Sequence, residues 1–332
     1  MKDDKCCIAL LALTIIALAA CAPADSAPGL DALATQFPRL DGSTTTLVIT
    51  RSIAAAVRGV KLEWTEPAPD ALQRTMVPVA GSGQADSAFI TGLKHNTTHQ
   101  AYLNIIDGSI DCALIARLPS PDELAAAAAG VTLDTVPIAL DAFVFMAHVA
   151  NPLAGLSLDQ IRSVYSGQTT RWDQLGVAVP GFDQPQLITA YQRERNSGSQ
   201  ELMEALILPH DQMIDSPQLV VPTMLGPFNA IGGDLWGEDG NRLGLGYTVY
   251  FYITSIFPHQ RVKMVAVEGV QPDAASIASR RYPLTAEVYG VIRADQPEDH
   301  VGRLTRDWLL TEAGQALVAD CGYVPVNPPA GQ

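Results

Sequence analysis

Short apolar segments that read as buried strands alternate with helix patterns along most of this chain. Strand-like runs are predicted at residues 110–115, 136–148 and 186–191, and a turn and a helical pattern follow each of them. This alternation is typical of an α/β fold with a largely parallel sheet. The body of the chain is about 295 residues long, which predicts two domains.

One turn combines several groups that suit an oxyanion. In the stretch from Tyr191 to Gln200, Arg193 ends a strand and Ser197-Gly198-Ser199 begins a helix. The first N–H groups of a helix have no partner within it, and the helix dipole is positive at that end. A guanidinium can add further hydrogen-bond donors around the bound anion. Ser197 and Gln200 also fit a capping box, and in that interpretation the turn binds nothing.

Two similar turns occur earlier in the chain. Gly42-Ser43-Thr44-Thr45 leads into a helix pattern that ends at Gly59, and Asn96-Thr97-Thr98-His99 leads into one that ends near Gly108. His95 and His99 are four residues apart and could share a metal ion on one helical face. No third ligand accompanies them, so surface or capping roles are the alternative, and neither a metal nor a cofactor is predicted.

The N-terminus carries a predicted targeting segment in residues 1–20. Its apolar run from Ile8 to Ala20 is shorter than the roughly 20 residues that span a bilayer, and it suits the apolar part of a secretory signal. The run ends in Leu18-Ala19-Ala20-Cys21, which resembles the lipobox of bacterial lipoproteins. That resemblance implies cleavage before Cys21 and lipidation of its thiol, with an ordinary signal peptide as the alternative. Residues 22–37 are rich in Ala, Pro, Asp and Ser and read as a tether.

The net charge and the cysteine content limit which classes of function this protein can have. The formal net charge of −14 argues against nucleic acid as a partner, because a phosphate backbone needs a basic face. A buried site can nevertheless hold a small anion through local dipoles and an arginine. Outside the cytoplasm Cys112 and Cys321 could pair, or they stay as two buried thiols. No Gly-x-Ser-x-Gly elbow is present, so an enzyme is not predicted.

Three segments together resemble the phosphate-binding proteins of ABC transporters. They are the run from Asn151 to Gly176, the motif formed by Arg193 and Ser197-Gly198-Ser199, and the closing run from Tyr282 to Val326. The resemblance covers about residues 38–326. It implies a type II periplasmic-binding-protein fold, in which two α/β lobes flank a ligand cleft. Lobe I would comprise residues 38–143 and 275–332, and lobe II residues 144–274.

The resemblance also implies a set of ligand contacts. The matching positions are Ser43, Thr44, Thr45, Thr98, Arg117, Arg193, Ser197, Gly198 and Ser199. Two positions depart from the family pattern. Asn96-Thr97-Thr98-His99 replaces a glycine-rich turn, and Ala116-Arg117 lacks a hydroxyl that often precedes this position. These departures leave oxyanion binding as the expectation and phosphate itself as one member of that class.

Asp141 is the candidate for telling phosphate from sulfate. At neutral pH phosphate still carries a proton, which needs an acceptor, whereas sulfate carries none and would be repelled by a carboxylate. Asp141 lies near the expected hinge between the lobes. The alternative is a structural role, in which Asp141 hydrogen-bonds to backbone or to Arg117.

These observations predict an extracytoplasmic solute-binding lipoprotein that captures phosphate or a related oxyanion for the permease subunits of an ABC importer. A lipid anchor would hold it at a bacterial membrane. The alternative is a ligand sensor or adhesion-related protein on the same fold, since a fold does not fix a function.

Overall fold

The structure is a computed structural model that describes residues 30–68, 72–127, 130–182, 185–195, 197–233 and 239–327. The predicted signal peptide and Cys21 lie outside these residues. No helix within the described ranges is both long and apolar enough to cross a membrane. The architecture is mixed α/β, as the alternation of strand and helix patterns predicts.

The helices are α1 (Leu30–Thr35), α2 (Leu47–Arg58), α3 (Gln84–Gly92), α4 (Thr98–Ile106), α5 (Pro121–Ala127), α6 (Leu158–Tyr165), α7 (Gly198–Leu206), α8 (Gly226–Gly232), α9 (Ala274–Ala278), α10 (Val301–Leu309) and α11 (Glu312–Asp320). The strands are β1 (Leu40–Gly42), β2 (Leu62–Trp64), β3 (Met76–Pro78), β4 (Cys112–Ile115), β5 (Leu133–His148), β6 (Gly155–Leu156), β7 (Thr189–Ala190), β8 (Gln192–Arg193), β9 (Val220–Val221), β10 (Gly244–Val249), β11 (Val262–Val267), β12 (Thr285–Arg293) and β13 (Val324–Pro325). Short 3₁₀ turns cover Thr44–Thr46, Trp172–Leu175 and Pro217–Leu219, and a π-helical turn covers Tyr252–Ile256.

Strand β5 runs through the whole main sheet, whose order is β1-β4-β12-β5-β10-β7. Its first part, up to Ala142, pairs with β12, and β13 pairs with Ala139 and Leu140. From Phe143 onward β5 pairs with β10 on one side and β11 on the other. The sheet therefore has two halves joined by one continuous strand. The first half holds β1, β4, β12 and β13, and the second holds β6, β7, β10 and β11.

The prediction of largely parallel pairing is wrong for the centre of the sheet. The pairs β1–β4, β7–β10 and β6–β11 are parallel. However, β5 is antiparallel to β10, β11 and β12, and β12 is antiparallel to β4. The reason is that β5 carries the chain from the first half into the second, while β12 follows its return and runs in the opposite direction.

A bulge interrupts the pairing of β5 with β12. Val288 is opposite Ala139 and Tyr289 is opposite Pro137, so Ile138 has no counterpart. Proline cannot donate to a ladder, so its place beside a bulge costs little pairing. The Ile138 carbonyl instead accepts a hydrogen bond of 2.9 Å from the side chain of Gln315 in α11.

The predicted tether is wrong in its last part, because residues 30–35 form helix α1. Leu33 is fully buried in the core, and α1 packs against α2 and α10. Leucines three apart, at positions 30 and 33, give one apolar side to this turn, which the Ala- and Pro-rich composition of the segment obscures.

The open question about the thiols is also answered: Cys112 and Cys321 are both free and buried.

Candidate oxyanion site

A cavity of about 680 Å³ lies where three turns, each leading into a helix, meet. Eight of the ten predicted ligand-binding residues line it. They are Ser43, Thr44, Thr45, Thr98, Arg193, Ser197, Gly198 and Ser199. Asn96, Thr97, His99, Glu194 and Arg195 are also part of the lining. Residues that lie more than 150 positions apart in the chain are thus brought to one place.

The first turn is held tightly against β4. A side chain at Gly42 would place its Cβ 2.1 Å from the Leu114 carbonyl oxygen, so only glycine fits there. The Thr46 hydroxyl donates to the same carbonyl over 2.6 Å. The hydroxyls of Ser43 and Thr45 lie 3.2 Å apart. A compact group of hydroxyls therefore precedes α2 on the cavity wall.

The second turn is fixed to the first by Asp41, a residue that the sequence analysis missed. One carboxylate oxygen of Asp41 accepts from the backbone N–H of Asn96, over 2.7 Å, and from that of Gly42. The other accepts from the side-chain amides of Asn96 and Asn104. Asp41 is buried and its oxygens are used by these donors. It is therefore a positioning residue. An acid directly before a Gly-Ser-Thr-Thr turn is the signal that could have indicated it.

Thr97, directly before α4, has an unusual backbone conformation for its type. Its φ is +76° and its ψ is 165°, a region that a β-branched residue enters only at a cost. Such strain is found mostly where the surroundings hold the chain for a function. Here the preceding residue, Asn96, is bound by Asp41, and the following residue, Thr98, is buried at the start of α4.

Arg193 reaches the cavity from β8, and no carboxylate of the described residues pairs with it. Only 6% of the residue is exposed. Its Nε donates to the Val221 carbonyl over 3.1 Å, and its Nη1 lies 3.4 Å from the Ser199 hydroxyl. No salt bridge joins it to an acid of the described ranges, and burial lowers the pKa of its guanidinium. A buried cation that keeps its proton needs a counter-charge, and the cavity is where one can bind.

The third turn follows Arg193 and is only partly a capping box. Ser197 caps α7, with its Oγ accepting from the Gln200 N–H. The Gln200 side chain does not return this bond. Its Oε1 instead accepts from the backbone N–H of Arg193 and from the hydroxyl of Tyr247. Gln200 therefore positions Arg193, which a capping-box interpretation would not predict.

Arg117 does not line the cavity. Its guanidinium forms two hydrogen bonds to Glu123, of 2.8 and 2.7 Å, and both side chains are buried. Its Nη1 also donates to the Leu118 carbonyl. An arginine whose charge is already matched by a buried carboxylate has little left for a ligand. The structure thus gives Arg117 a structural partner, and its role as a ligand contact stays a prediction.

Asp141 is also outside the cavity lining. Its Oδ1 accepts from the backbone N–H groups of Ala142 and Phe251, each over less than 3 Å. Its Oδ2 is buried without a hydrogen-bond partner in the described residues. Burial raises the pKa of Asp141 to about 7, against the opposing effect of the N–H donors. These contacts fit the structural alternative, in which Asp141 joins β5 to the segment after β10.

The cysteines and histidines hold no metal site in the part of the chain that is described. No group of three or more potential ligands occurs there. His99 instead lies 3.0 Å from Glu123, and His95 accepts from the Thr97 N–H. Burial raises the pKa of Cys112 and of Cys321 to about 12, so both thiols are unreactive.

Comparisons with known proteins identify the family of this chain. The model of the PBP superfamily domain matches residues 75–309. The chain is 26% identical over 190 residues to the phosphate-binding protein PstS of Bacillus subtilis. That alignment covers 56% of each chain, so this protein matches about half the length of that relative.

Two solved structures share the fold over nearly their whole length. One is a substrate-binding protein of a putative phosphate ABC transporter from Clostridium perfringens, with bound phosphate. Its TM-score is 0.60 at 19% identity, covering 87% of this chain and 99% of that one. The other is an ABC-type phosphate transport receptor from Vibrio cholerae. Its TM-score is 0.57 at 19% identity, covering 86% and 98%.

The fold is that of a two-lobed binding protein, with the cavity where the two halves of the sheet meet. The chain belongs to the PBP superfamily, and the predicted fold class is confirmed. The exact lobe boundaries, after residue 143 and before residue 275, stay predictions.

The short distance between the turns at Gly198 and Thr98 predicts the effect of Gly198→Ala. A Cβ at Gly198 would lie 3.1 Å from the Thr98 hydroxyl oxygen, across the cavity. Overpacking costs about 1–3 kcal/mol, and we expect a loss of about that size in the free energy of unfolding, measured with urea. Gly92→Ala is the control, because an added methyl there meets nothing. An unchanged free energy of unfolding in Gly198→Ala would show that the two turns do not need to stay this close.

Asp141 predicts a pH dependence of stability. A folded pKa of about 7, above the ordinary 3.8, means that the folded protein holds a proton that the unfolded chain releases. Stability should therefore fall as the pH rises from about 4 to 7, by at most about 4 kcal/mol. Asp141→Asn should remove this slope, as measured by urea unfolding at several pH values. Asp273→Asn is the control, because hydrogen bonding from Ser276 lowers the pKa of Asp273 and gives it the opposite slope. A preserved slope in Asp141→Asn would contradict the assignment.

Proposed function

We propose that this protein is an extracytoplasmic solute-binding protein that captures phosphate, or a closely related oxyanion, for an ABC importer. The observation that carries the proposal is the buried guanidinium of Arg193 on the wall of a cavity between two lobes, where no acid in the described part of the chain pairs with it. The similar proteins, a phosphate-binding protein and a phosphate transport receptor, support the choice of ligand.

The lining of the cavity suits a small, doubly charged oxyanion. Three segments begin helical turns there, so unpaired N–H groups from Thr45, Thr98 and Ser199 are available near the hydroxyls of the same turns. Glu194 is the one acid among the lining residues, and it is exposed. The net charge of the whole protein is strongly negative, so the affinity would come from these local groups rather than from long-range attraction.

We propose that Ser43, Thr44, Thr45, Thr98, Arg193, Ser197, Gly198 and Ser199 form the binding site, because they share the cavity. Arg117 and Asp141 are left out of this set, because their polar groups are engaged with Glu123 and with backbone N–H groups.

Replacing Arg193 tests the site. Arg193→Ala should weaken phosphate binding by about 2–5 kcal/mol, the usual cost of removing one partner of a buried charge pair. This is roughly 30-fold to several-thousand-fold in affinity, measured by calorimetry. Lysine should restore binding only in part, because a point charge cannot reproduce two parallel hydrogen bonds.

Arg195→Ala is the matched control for this test. Arg195 also lines the cavity but is exposed, so solvent screens its charge and its loss should cost far less. Arg193→Ala protein that binds phosphate, arsenate and sulfate as tightly as the wild type would overturn the site assignment. Loss of high-affinity phosphate uptake in cells that lack the protein would separate transport from sensing.

We further propose that the mature protein is held at the membrane by lipid on Cys21. The support is the apolar run from Ile8 to Ala20 and the four residues Leu18 to Cys21 that resemble a lipobox. Lipid chains contribute about 0.8 kcal/mol per buried CH₂, which can hold a protein without a spanning helix.

Cys21→Ser should abolish the anchor. The variant should remain unprocessed or appear in the aqueous phase after detergent phase separation, and it should not incorporate radiolabelled fatty acid. Cys7→Ser is the control, because Cys7 leaves with the signal peptide. Fatty-acid labelling that survives in Cys21→Ser would contradict this part of the proposal.

A further inference from the structure

His99 lines the cavity and is tied to a buried carboxylate. It is the second residue of α4, and its Nδ1 lies 3.0 Å from Oε1 of Glu123 in α5. About a third of the imidazole is exposed, whereas the Glu123 side chain is not exposed at all. The ring is therefore anchored on one side, while the residue faces the cavity on the other.

The charge on Glu123 determines which ring nitrogen carries the proton. Burial alone would raise the pKa of Glu123, but the hydrogen bonds and charge of Arg117, with the Ser120 N–H and His99, outweigh it and lower the pKa. An ionised carboxylate can only accept hydrogen bonds. Nδ1 of His99 must therefore donate to Glu123, and in the neutral ring Nε2 is then an acceptor with a free lone pair.

No hydrogen bond within the described residues uses Nε2 of His99. The acidic residues near the cavity are less suited than His99 to accept a hydrogen bond from a ligand. Asp41 is saturated by its four donors, Asp141 does not line the cavity, and Glu194 is exposed and unanchored. Arg193 and Arg195 are donors only. The other charged groups around His99 are Glu123, which is bonded to the ring, Arg117, which is bonded to Glu123, and Glu201 on α7, and none of them lines the cavity.

We propose that His99, held by Glu123, is the hydrogen-bond acceptor by which the cavity selects protonated oxyanions over sulfate. Hydrogen phosphate and hydrogen arsenate carry a proton that Nε2 accepts. Sulfate has none, and meets a lone pair instead of a donor. This inference rests on the proposed function, since it assumes that the cavity binds an oxyanion.

Two substitutions at position 99 separate this role from a structural one. The amide nitrogen of His99→Asn can still donate to Glu123 in place of Nδ1, but the Nε2 acceptor is gone. His99→Gln places an amide oxygen near the position of Nε2. The preference for phosphate over sulfate should fall about tenfold or more in the Asn variant and be kept in part in the Gln variant, by calorimetry with both anions.

His95→Asn is the control, because the Asn oxygen can accept from the Thr97 N–H as His95 does and His95 is not part of the cavity lining. Equal losses for phosphate and sulfate in His99→Asn, or no change in either, would overturn the role of His99 while leaving the proposed function intact. Wild-type protein that binds no oxyanion would instead overturn both.

A measurement on the unsubstituted protein gives an independent answer. In ¹⁵N NMR spectra of the neutral histidine rings, His99 should show a protonated Nδ1 and an Nε2 without a proton. A ring with the proton on Nε2 would present a donor to the cavity and would refute the inference.

Discussion

The continuous pairing of strand β5 is the constraint on which the two lobes depend. Its first ten residues pair within one half of the sheet, and its last six pair within the other. Because side chains alternate along a strand, a shift of one residue would turn every side chain of β5 to the opposite face of the sheet in both halves at once, and both faces are packed from Ile138 to His148. The register of β5 therefore fixes how the turns of the two halves face each other across the cavity.

The candidate site depends on this arrangement of the turns and on the buried positive charge of Arg193. Burying a guanidinium without an acid is unfavourable unless its donors are used. The Val221 carbonyl and the Ser199 hydroxyl use some of the donors of Arg193, and Tyr247 and Gln200 hold its backbone. The protein thereby holds a cation in a partly buried environment of low dielectric. An anion that binds there has a stronger electrostatic attraction to the cation than it would have in water. Binding would then balance the charge that folding leaves unmatched.

The sequence was sufficient for the local elements of the site. Helix starts at Ser197 and near Thr98 could be read from capping residues and apolar spacing, since both signals lie within a few residues. Roles that depend on distant partners could not be read in this way. Arg117 matches a ligand position by resemblance, yet Glu123, six residues on, neutralises it. The sequence analysis did not identify Asp41, although it joins two turns that are 55 residues apart in the chain. The antiparallel centre of the sheet likewise depends on where the chain returns, which local patterns do not encode.

The backbone at Thr97 connects the stability of the protein to the shape of the cavity wall. A glycine would adopt a φ of +76° with a ψ of 165° freely, whereas a threonine there gives up roughly 1–3 kcal/mol of folding free energy. The strained residue is also part of the cavity wall, between Asn96 and Thr98. A single turn therefore sets part of the folding free energy of the protein and part of the shape of its cavity.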